Sequence, residues 1–160
     1  MGMAKYFKIS VIRHLSSVIG LLLSLNYLIK LNISKMKRII STQNAPQAIG
    51  PYSQAVEVNG TLYISGQVPL VPETMKVIDG GIAEQTLQVM KNIGAILQAA
   101  RYSFADVIKS TCLLSDMAHF KAMNEVYGQF YKDNPPARAA FAVKELPLGV
   151  LIEIETIAVK

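Results

Sequence analysis

Few side chains in this sequence combine a reactive group with a neighbour that would activate it. The one cysteine, Cys112, lies in the apolar run Val107–Leu114, and neither His14 nor His119 stands in a recognisable base position. A thiol in an apolar run is typical of a protein core, and two unrelated histidines give no metal-ligand spacing. We therefore expect no cysteine nucleophile, no metal site and no intrachain disulfide, which fits a reducing compartment.

Arg138 and Glu153 carry the functional groups best suited to binding a substrate and to transferring a proton. The planar guanidinium of an arginine matches a carboxylate through two parallel hydrogen bonds, and a glutamate can take a proton from water. Taken alone, the two residues favour a plainer interpretation, in which Arg138 is a surface residue and Glu153 is its ion-pair partner.

Two turn-like segments contain the other candidate residues. Tyr52 ends the turn Ile49-Gly50-Pro51-Tyr52, where a structural tyrosine is the commoner case. Ser65-Gly66-Gln67 follows an apolar run and is typical of a β-bulge at a strand end. Neither segment indicates a function by itself.

The elements that must position these residues begin with a hairpin and a helix. Two β-prone runs between residues 56 and 65 flank Asn59-Gly60, the strongest short hairpin signal. Between residues 81 and 101, apolar residues recur at helical spacing and predict one helix with a wide buried stripe.

A second helix is expected after a strand at Val107–Leu114. Asp116 is a suitable N-cap, and Pro135-Pro136 is expected to stop the helix. Apolar and aromatic residues mark one face of this helix: Phe120, Met123, Tyr127, Phe130 and Tyr131.

The last two strands are predicted at residues 139–143 and 151–159, joined by the turn Leu146-Pro147-Leu148-Gly149. The final strand is apolar on both sides, with Glu153 and Glu155 set into one of them. Two helices can cover only one face of a small sheet. The other face is therefore expected to pack against another subunit in a symmetric oligomer.

Length and charge indicate one domain with an N-terminal extension. The chain has 160 residues and a net charge of +5, all of which lies in residues 1–35, because residues 36–160 carry 11 basic and 11 acidic residues. The balanced part gives no reason to expect a nucleic-acid partner. We predict a domain at residues 36–160 that begins at Met36.

Residues 1–35 are predicted to be an upstream extension of the reading frame or a targeting segment. Their apolar stretch, residues 18–29, is too short for a stable membrane span. We expect a cytoplasmic protein, or a mitochondrial one if residues 1–35 are a transit peptide.

Six short motifs occur in a distinctive order. They are Ile49-Gly50-Pro51-Tyr52-Ser53-Gln54-Ala55, Ile64-Ser65-Gly66-Gln67, Asp116-Met117 with Asn124 and Tyr127, Pro136-Ala137-Arg138, Leu146-Pro147 and Ile152-Glu153-Ile154-Glu155. Each motif is poorly specific, but the ordered set resembles the Rid family of reactive intermediate deaminases, also called the YjgF family. The resemblance covers Lys37–Lys160.

The resemblance implies a chorismate-mutase-like α+β fold, with a mixed sheet, two helices on one face and a homotrimer with sites between subunits. It also implies hydrolysis of 2-aminoacrylate and related 2-enamine or 2-imine acids to 2-keto acids and ammonia, without a cofactor. Position by position, Arg138 matches the substrate-carboxylate arginine. Tyr52, Ser65, Gly66 and Glu153 match the pocket around it, where Glu153 would direct the attacking water.

One departure and two alternatives accompany this interpretation. Arg101 stands where the family usually has glycine at the end of the first helix, a position that often requires left-handed geometry. A non-catalytic module that binds keto acids or amino acids through Arg138 is the first alternative. A ribonuclease or translation inhibitor is less well supported, because it would need a basic surface.

Overall fold

The computed structural model describes residues 18–26 and 37–160. Residues 18–26 form a helix, α1, and Lys37–Lys160 form a separate compact unit. Within these two ranges, no helix is both long enough and apolar enough to cross a membrane. The predicted start at Met36 and the ends of the predicted targeting segment lie outside the described residues, and so the domain boundary and the compartment stay predictions.

A six-stranded mixed sheet forms the centre of residues 37–160, in the order β1-β2-β3-β8-β6-β7. In this sheet only β6 and β7 pair in parallel, and β7 is the edge strand next to β6. A small second sheet contains β4 and β5. The strands are β1 (Arg38–Ile40), β2 (Ala55–Val58), β3 (Thr61–Gln67), β4 (Leu70–Val71), β5 (Lys76–Val77), β6 (Val107–Leu114), β7 (Ala137–Ala142) and β8 (Ile152–Val159).

The predicted hairpin is confirmed as β2 and β3. Val58 pairs with Thr61, and the two residues between them, Asn59 and Gly60, have φ angles of 51° and 71°. Positive φ at both central positions is the geometry of the hairpin turn that Asn-Gly favours.

Two helices, α2 (Ile82–Ala99) and α3 (Phe120–Tyr127), pack on one face of the sheet, as predicted. Their apolar stripes and the facing strand residues form one core. Fully buried members of this core are Leu62, Met90, Ile93, Ile96, Leu114, Met123, Ile152 and Ile154.

Helix α2 ends in a left-handed turn at Arg101. Its φ angle is +68°, its N–H donates to the Gln98 carbonyl at 2.9 Å, and the Tyr102 N–H donates to the Leu97 carbonyl at 2.8 Å. This pair of bonds is the Schellman arrangement that usually places glycine at the left-handed position. The turn therefore forms with arginine, in a conformation that disfavours any side chain.

The end of the second helix was predicted wrongly. Asp116 caps a 3-10 turn, Met117–His119, through a 2.7 Å bond from the Ala118 N–H, and α3 then ends at Tyr127, well before Pro135-Pro136. Gly128 follows at once and has a low helix propensity. Phe130 and Tyr131, which were assigned to the helix, lie beyond it and pack their rings against Phe104 at 5.1 and 5.5 Å between centroids.

The last strand places apolar side chains on both faces of the sheet, as its sequence predicted. Ile152, Ile154, Thr156 and Ala158 are buried under the helices, whereas Glu153, Glu155, Ile157 and Val159 point to the uncovered face. The uncovered face also bears Tyr63 and Phe141, each 48% exposed. No described helix of residues 37–160 covers this apolar face.

Candidate active site

A cavity of about 350 Å³ lies where the uncovered face meets the turns at the ends of β3 and β8. Four predicted site residues line it: Tyr52, Ser65, Gly66 and Glu153. Its volume falls within the range of small-molecule sites. The structure therefore brings most of the predicted site together within one chain.

A β-bulge positions Ser65 and Gly66. The β3–β8 register passes from Ile64↔Thr156 to Gln67↔Ile154, so β3 has one extra residue. A Cβ on Gly66 would lie 2.8 Å from Cδ of Glu153. The segment is thus the β-bulge that its sequence favoured, and Gly66 lets the Glu153 carboxyl approach the backbone where a side chain would displace it.

Hydrogen bonds connect the Tyr52 turn to β3. The Ser65 hydroxyl donates to the Ser53 carbonyl at 2.7 Å, and the Ser65 N–H donates to the Gln54 carbonyl at 3.0 Å. The buried Gln54 amide donates to the Pro46 carbonyl at 2.8 Å and accepts from the Thr42 N–H at 2.7 Å. The hydrogen bonds of Gln54 therefore fix the turn that brings Tyr52 to the cavity, a role that its sequence motif did not indicate.

The Glu153 carboxyl is half-buried, and this burial raises its pKa above the ordinary value. The negative charge of Glu155, two residues along the same face, raises the pKa further. A carboxylate whose pKa lies nearer to neutrality accepts a proton from water more readily than an ordinary one.

Three buried amides on α2 anchor both walls of this cavity. Asn92 Nδ2 donates to the Val68 carbonyl at 3.1 Å, and Gln88 Nε2 donates to Asn92 Oδ1 at 2.9 Å. Gln85 Oε1 accepts from the Leu151 N–H at 2.8 Å, just before β8. The sequence-based assignment missed these residues because it followed only apolar periodicity. Amides at positions 85, 88 and 92, on the stripe that faces the sheet, were the available signal.

Arg138 lines a different cavity, of about 360 Å³, at the edge strand β7. Its Cζ lies 4.7 Å from the Tyr127 ring centroid and 5.7 Å from that of Phe120. Burial raises the pKa of both Tyr127 and Tyr131, so their phenols stay protonated at neutral pH. The guanidinium therefore rests against aromatic rings, which contact it without neutralising its charge.

Arg138 and Glu153 point to opposite faces of the sheet. Arg138 pairs with Ser110, which pairs with Thr156, and these two buried hydroxyls lie 3.4 Å apart under the helices. Glu153 lies three residues before Thr156 and pairs with Leu113. Because side chains alternate along a strand, this odd separation turns Glu153 to the uncovered face.

The plain interpretation of an Arg138–Glu153 ion pair is therefore wrong within one chain. Among residues 37–160 the ion pairs are Arg38–Glu57 and Lys160–Asp106, and neither includes Arg138 or Glu153. The structure also leaves the predicted carboxylate-binding arginine outside the cavity of the other four site residues.

Cys112 is a core residue, as expected. It is fully buried, and burial raises the pKa of its thiol to about 11. The thiolate needed for nucleophilic attack is thus scarce at neutral pH. Within the described ranges, no group of three or more His, Cys, Asp or Glu side chains is placed to hold a metal ion.

A mixed sheet with two helices on one face, and a small cavity that places a carboxyl against a β-bulge, defines an α+β protein with a small-molecule site. In a comparison with sequence models of protein families, the model of the endoribonuclease L-PSP family matches residues 42–160 of this chain. The chain belongs to this family, and the predicted Rid (YjgF) membership is confirmed.

Similar proteins agree with this assignment. The 2-iminobutanoate/2-iminopropanoate deaminase of Homo sapiens is 50% identical over 127 residues, which are 79% of this chain and 93% of the human protein. A Rid family structure from Yersinia pestis has a TM-score of 0.76 and 42% identity, over 78% of this chain and all of that one (100%). The structure of E. coli TdcF with bound serine has a TM-score of 0.74 and 40% identity, over 77% and 98% of the two chains.

Proposed function

We propose that this protein is a hydrolytic deaminase that converts reactive 2-imino and 2-enamino acids to 2-keto acids and ammonia. The observation that carries the proposal is the half-buried Glu153 carboxyl, with its raised pKa, which lies against the side-chain-free Gly66 in the lining of the cavity. The human relative is named for this activity, and the E. coli relative holds serine, a small amino acid, which supports the same substrate class.

The chemistry requires a placed water and a proton acceptor. A 2-imino acid is already electrophilic at C2, so fixing its orientation supplies much of the acceleration. Glu153 accepts a proton from the water as the water oxygen bonds to C2. That proton then passes to the nitrogen and gives a carbinolamine. The hydroxyl proton of the carbinolamine next passes through Glu153 to the nitrogen, so that the C–N bond breaks and ammonia leaves as the C2 carbonyl forms. An enamine first gains a proton at C3 and loses one from its nitrogen, and so becomes the imine.

The substrate carboxylate needs a cation, and Arg138 supplies it in our proposal. A guanidinium binds a carboxylate in a defined plane, and contact with the rings of Phe120 and Tyr127 restricts the positions that the Arg138 guanidinium can take. Since Arg138 lies on the helix-covered face of its own chain, we propose that it reaches the Glu153 cavity of a neighbouring subunit. The site is then shared between two copies of the chain.

A symmetric homotrimer is the assembly that we propose. It is supported by the uncovered sheet face, where Tyr63, Phe141 and Val159 are large apolar or aromatic side chains that remain 39–48% exposed. Burying such a face against another copy removes apolar area from water. Light scattering should report three times the monomer mass, and a monomer with full activity would contradict both the assembly and the shared site.

One assay tests the activity itself. A pyridoxal-phosphate dehydratase releases 2-aminoacrylate from serine, and the rate of pyruvate formation is followed with and without this protein. We expect clear acceleration by the wild type and little by Glu153→Gln at equal concentration. If the wild type binds keto acids but accelerates nothing at any concentration, the binding module becomes the better assignment.

A ribonuclease remains less well supported, although the description of the family names an endoribonuclease. Residues 36–160 have equal numbers of basic and acidic side chains, and strong RNA binding depends on an excess of positive charge along the binding surface.

A further inference from the structure

No polar side chain of the described residues fixes the Arg138 guanidinium. Within residues 37–160, none forms an ion pair or a side-chain hydrogen bond with it. An arginine that changes rotamer freely loses that freedom when it binds a carboxylate, and the loss weakens binding. An arginine that is already held in its binding orientation avoids this loss. The orientation of Arg138 therefore depends on the aromatic rings that it contacts.

Of the two rings in contact with Arg138, that of Tyr127 is the better placed to orient it. Its centroid lies 4.7 Å from Arg138 Cζ, against 5.7 Å for Phe120, and Tyr127 lines the Arg138 cavity whereas Phe120 does not. Tyr127 is only 5% exposed, and its ring packs against that of Tyr131 at 4.7 Å between centroids. A ring that is packed from behind keeps its place, and its face attracts the cation above it.

The hydroxyl of Tyr127 belongs to a buried group with those of Tyr131, Ser110 and Thr156. Both phenol oxygens are closed off from solvent, and neither makes a direct hydrogen bond of ordinary geometry within residues 37–160. Burial raises the pKa of both phenols, and the Ser110 hydroxyl acts on each pKa in the opposite direction, so Ser110 faces them both. A phenylalanine would fill the same space without burying a polar oxygen, which indicates that the Tyr127 hydroxyl does more than fill the core.

Ser110 connects this group of hydroxyls to Arg138. It pairs with Arg138 across β6 and β7, so the two side chains leave the sheet side by side on the helix-covered face. Tyr127 thus contacts the guanidinium with its ring and faces the strand neighbour of Arg138 with its hydroxyl. Two points of interaction define the tilt of the ring, which a single point would leave free.

We propose that Tyr127, oriented by Ser110, is the positioning residue that holds the Arg138 guanidinium ready for the substrate carboxylate. This inference rests on the proposed deaminase function, in which Arg138 binds that carboxylate. In this role Tyr127 acts only through Arg138. Its contribution to catalysis should therefore vanish when the guanidinium is replaced by a group that has no plane to orient.

A double-mutant cycle on the full-length protein separates positioning from a purely structural role. An amino-acid oxidase, with catalase present, generates 2-iminobutanoate from 2-aminobutanoate, and semicarbazide traps the imine that remains. We expect Tyr127→Leu to lower kcat/KM by about tenfold in the wild type but by less than about twofold in Arg138→Lys, because the ammonium is a point charge. The Kd of 2-oxobutanoate, a stable keto acid, should rise in the same pattern. Equal losses in the two backgrounds would overturn the positioning role.

Two smaller changes test the hydroxyl contact, and they stay informative if Tyr127→Leu does not fold. Tyr127→Phe keeps the ring and removes its hydroxyl, and Ser110→Ala removes the hydroxyl that faces it. We expect each to lower kcat/KM by about threefold, with no further loss in the double variant, because both remove one and the same contact. A Tyr127→Phe protein with full wild-type kcat/KM would overturn the orienting role of Ser110.

Phe130→Leu is the matched control. Phe130 belongs to the same aromatic cluster through Phe104, but its ring makes no contact with the Arg138 guanidinium in the described structure. The change should lower the thermal melt and leave kcat/KM within about twofold of wild type. A loss as large as that of Tyr127→Leu would overturn the specific role of Tyr127. In an enzyme that hydrolyses the imine, these contrary results would overturn this inference alone, whereas a wild type that hydrolyses no imine would overturn the proposed function as well.

Discussion

The two faces of the sheet carry different members of one set of candidate functional residues. On the uncovered side, a bulge, a turn and a half-buried acid form a cavity within a single chain. On the helix-covered side, Arg138 sits on the edge strand β7, and the aromatic rings of α3 hold its guanidinium. Each half is positioned by its own elements. Neither half offers both a cation for a carboxylate and an acid that can direct a water, and in our proposal the function therefore depends on bringing the two faces together in an assembly.

Removing the functional group of either half, at Glu153 or at Arg138, should have the largest effect on the rate of hydrolysis. Glu153→Gln keeps the shape of the side chain but cannot take a proton, and Arg138→Ala removes the proposed carboxylate clamp. We expect each variant to lose about 100-fold or more in the rate of 2-aminoacrylate hydrolysis, the usual scale for a general base.

Mixed oligomers of the same two variants test whether the faces meet across subunits. In a random mixture, about one site in four combines an intact Glu153 with an intact Arg138 from the neighbouring chain, so about a quarter of wild-type activity should return. The assay is run on co-expressed variants beside each variant alone. A mixture no more active than its better component would show that the halves do not share a site.

Arg138→Lys should have a smaller effect, because it keeps the charge and changes only its geometry. Lysine loses one of two parallel hydrogen bonds to the carboxylate, worth on the order of 1.5–3 kcal/mol, so kcat/KM should fall by at least about tenfold. The thermal melt should stay near that of the wild type. Undiminished hydrolysis would remove Arg138 from the role of carboxylate clamp.

Glu155→Gln should shift the pH dependence without removing activity. In the proposed mechanism Glu153 acts as a base only when it is deprotonated, so hydrolysis should rise as the pH passes its pKa, which is raised first by burial and then by the charge of Glu155. Removing that charge lowers the pKa of Glu153. The acid limb of the kcat/KM profile should then move to lower pH, with the plateau rate unchanged. A limb that stays in place or moves upward would contradict the assignment of Glu153 as base.

Arg101→Gly should leave both cavities untouched and affect only stability. Glycine relieves the left-handed strain at the end of α2, partly offset by its greater freedom in the unfolded chain, so we expect a gain of roughly 0.5–1 kcal/mol. Ala100→Gly is the matched control, because Ala100 is right-handed and should lose stability on the same change. Denaturant unfolding measures both, and a less stable Arg101→Gly protein would be the contrary result.

Short sequence patterns predicted correctly those elements whose conformation depends mainly on neighbouring residues in the chain. Asn59-Gly60 predicted its hairpin because only a few residue pairs favour that turn, and the apolar run Val107–Leu114 matches β6 at both ends. The second helix was extended too far because Phe130 and Tyr131 continue the helical spacing. In the folded chain their rings pack on Phe104, which comes from a distant part of the sequence, and this contact overrides the local pattern.

The family and the identity of the candidate residues were available from the sequence by itself, because the order of its motifs does not depend on how the chain folds. Which residues share a cavity was decided only by the tertiary structure. Side chains on a strand alternate between faces, so the register of β7 against β6 and of β6 against β8 sends Arg138 to one face and Glu153 to the other. A shift of one residue in either pairing would turn the side chains of the shifted strand to the opposite face of the sheet. Register is set by the packing of helices and strands that lie far apart along the chain.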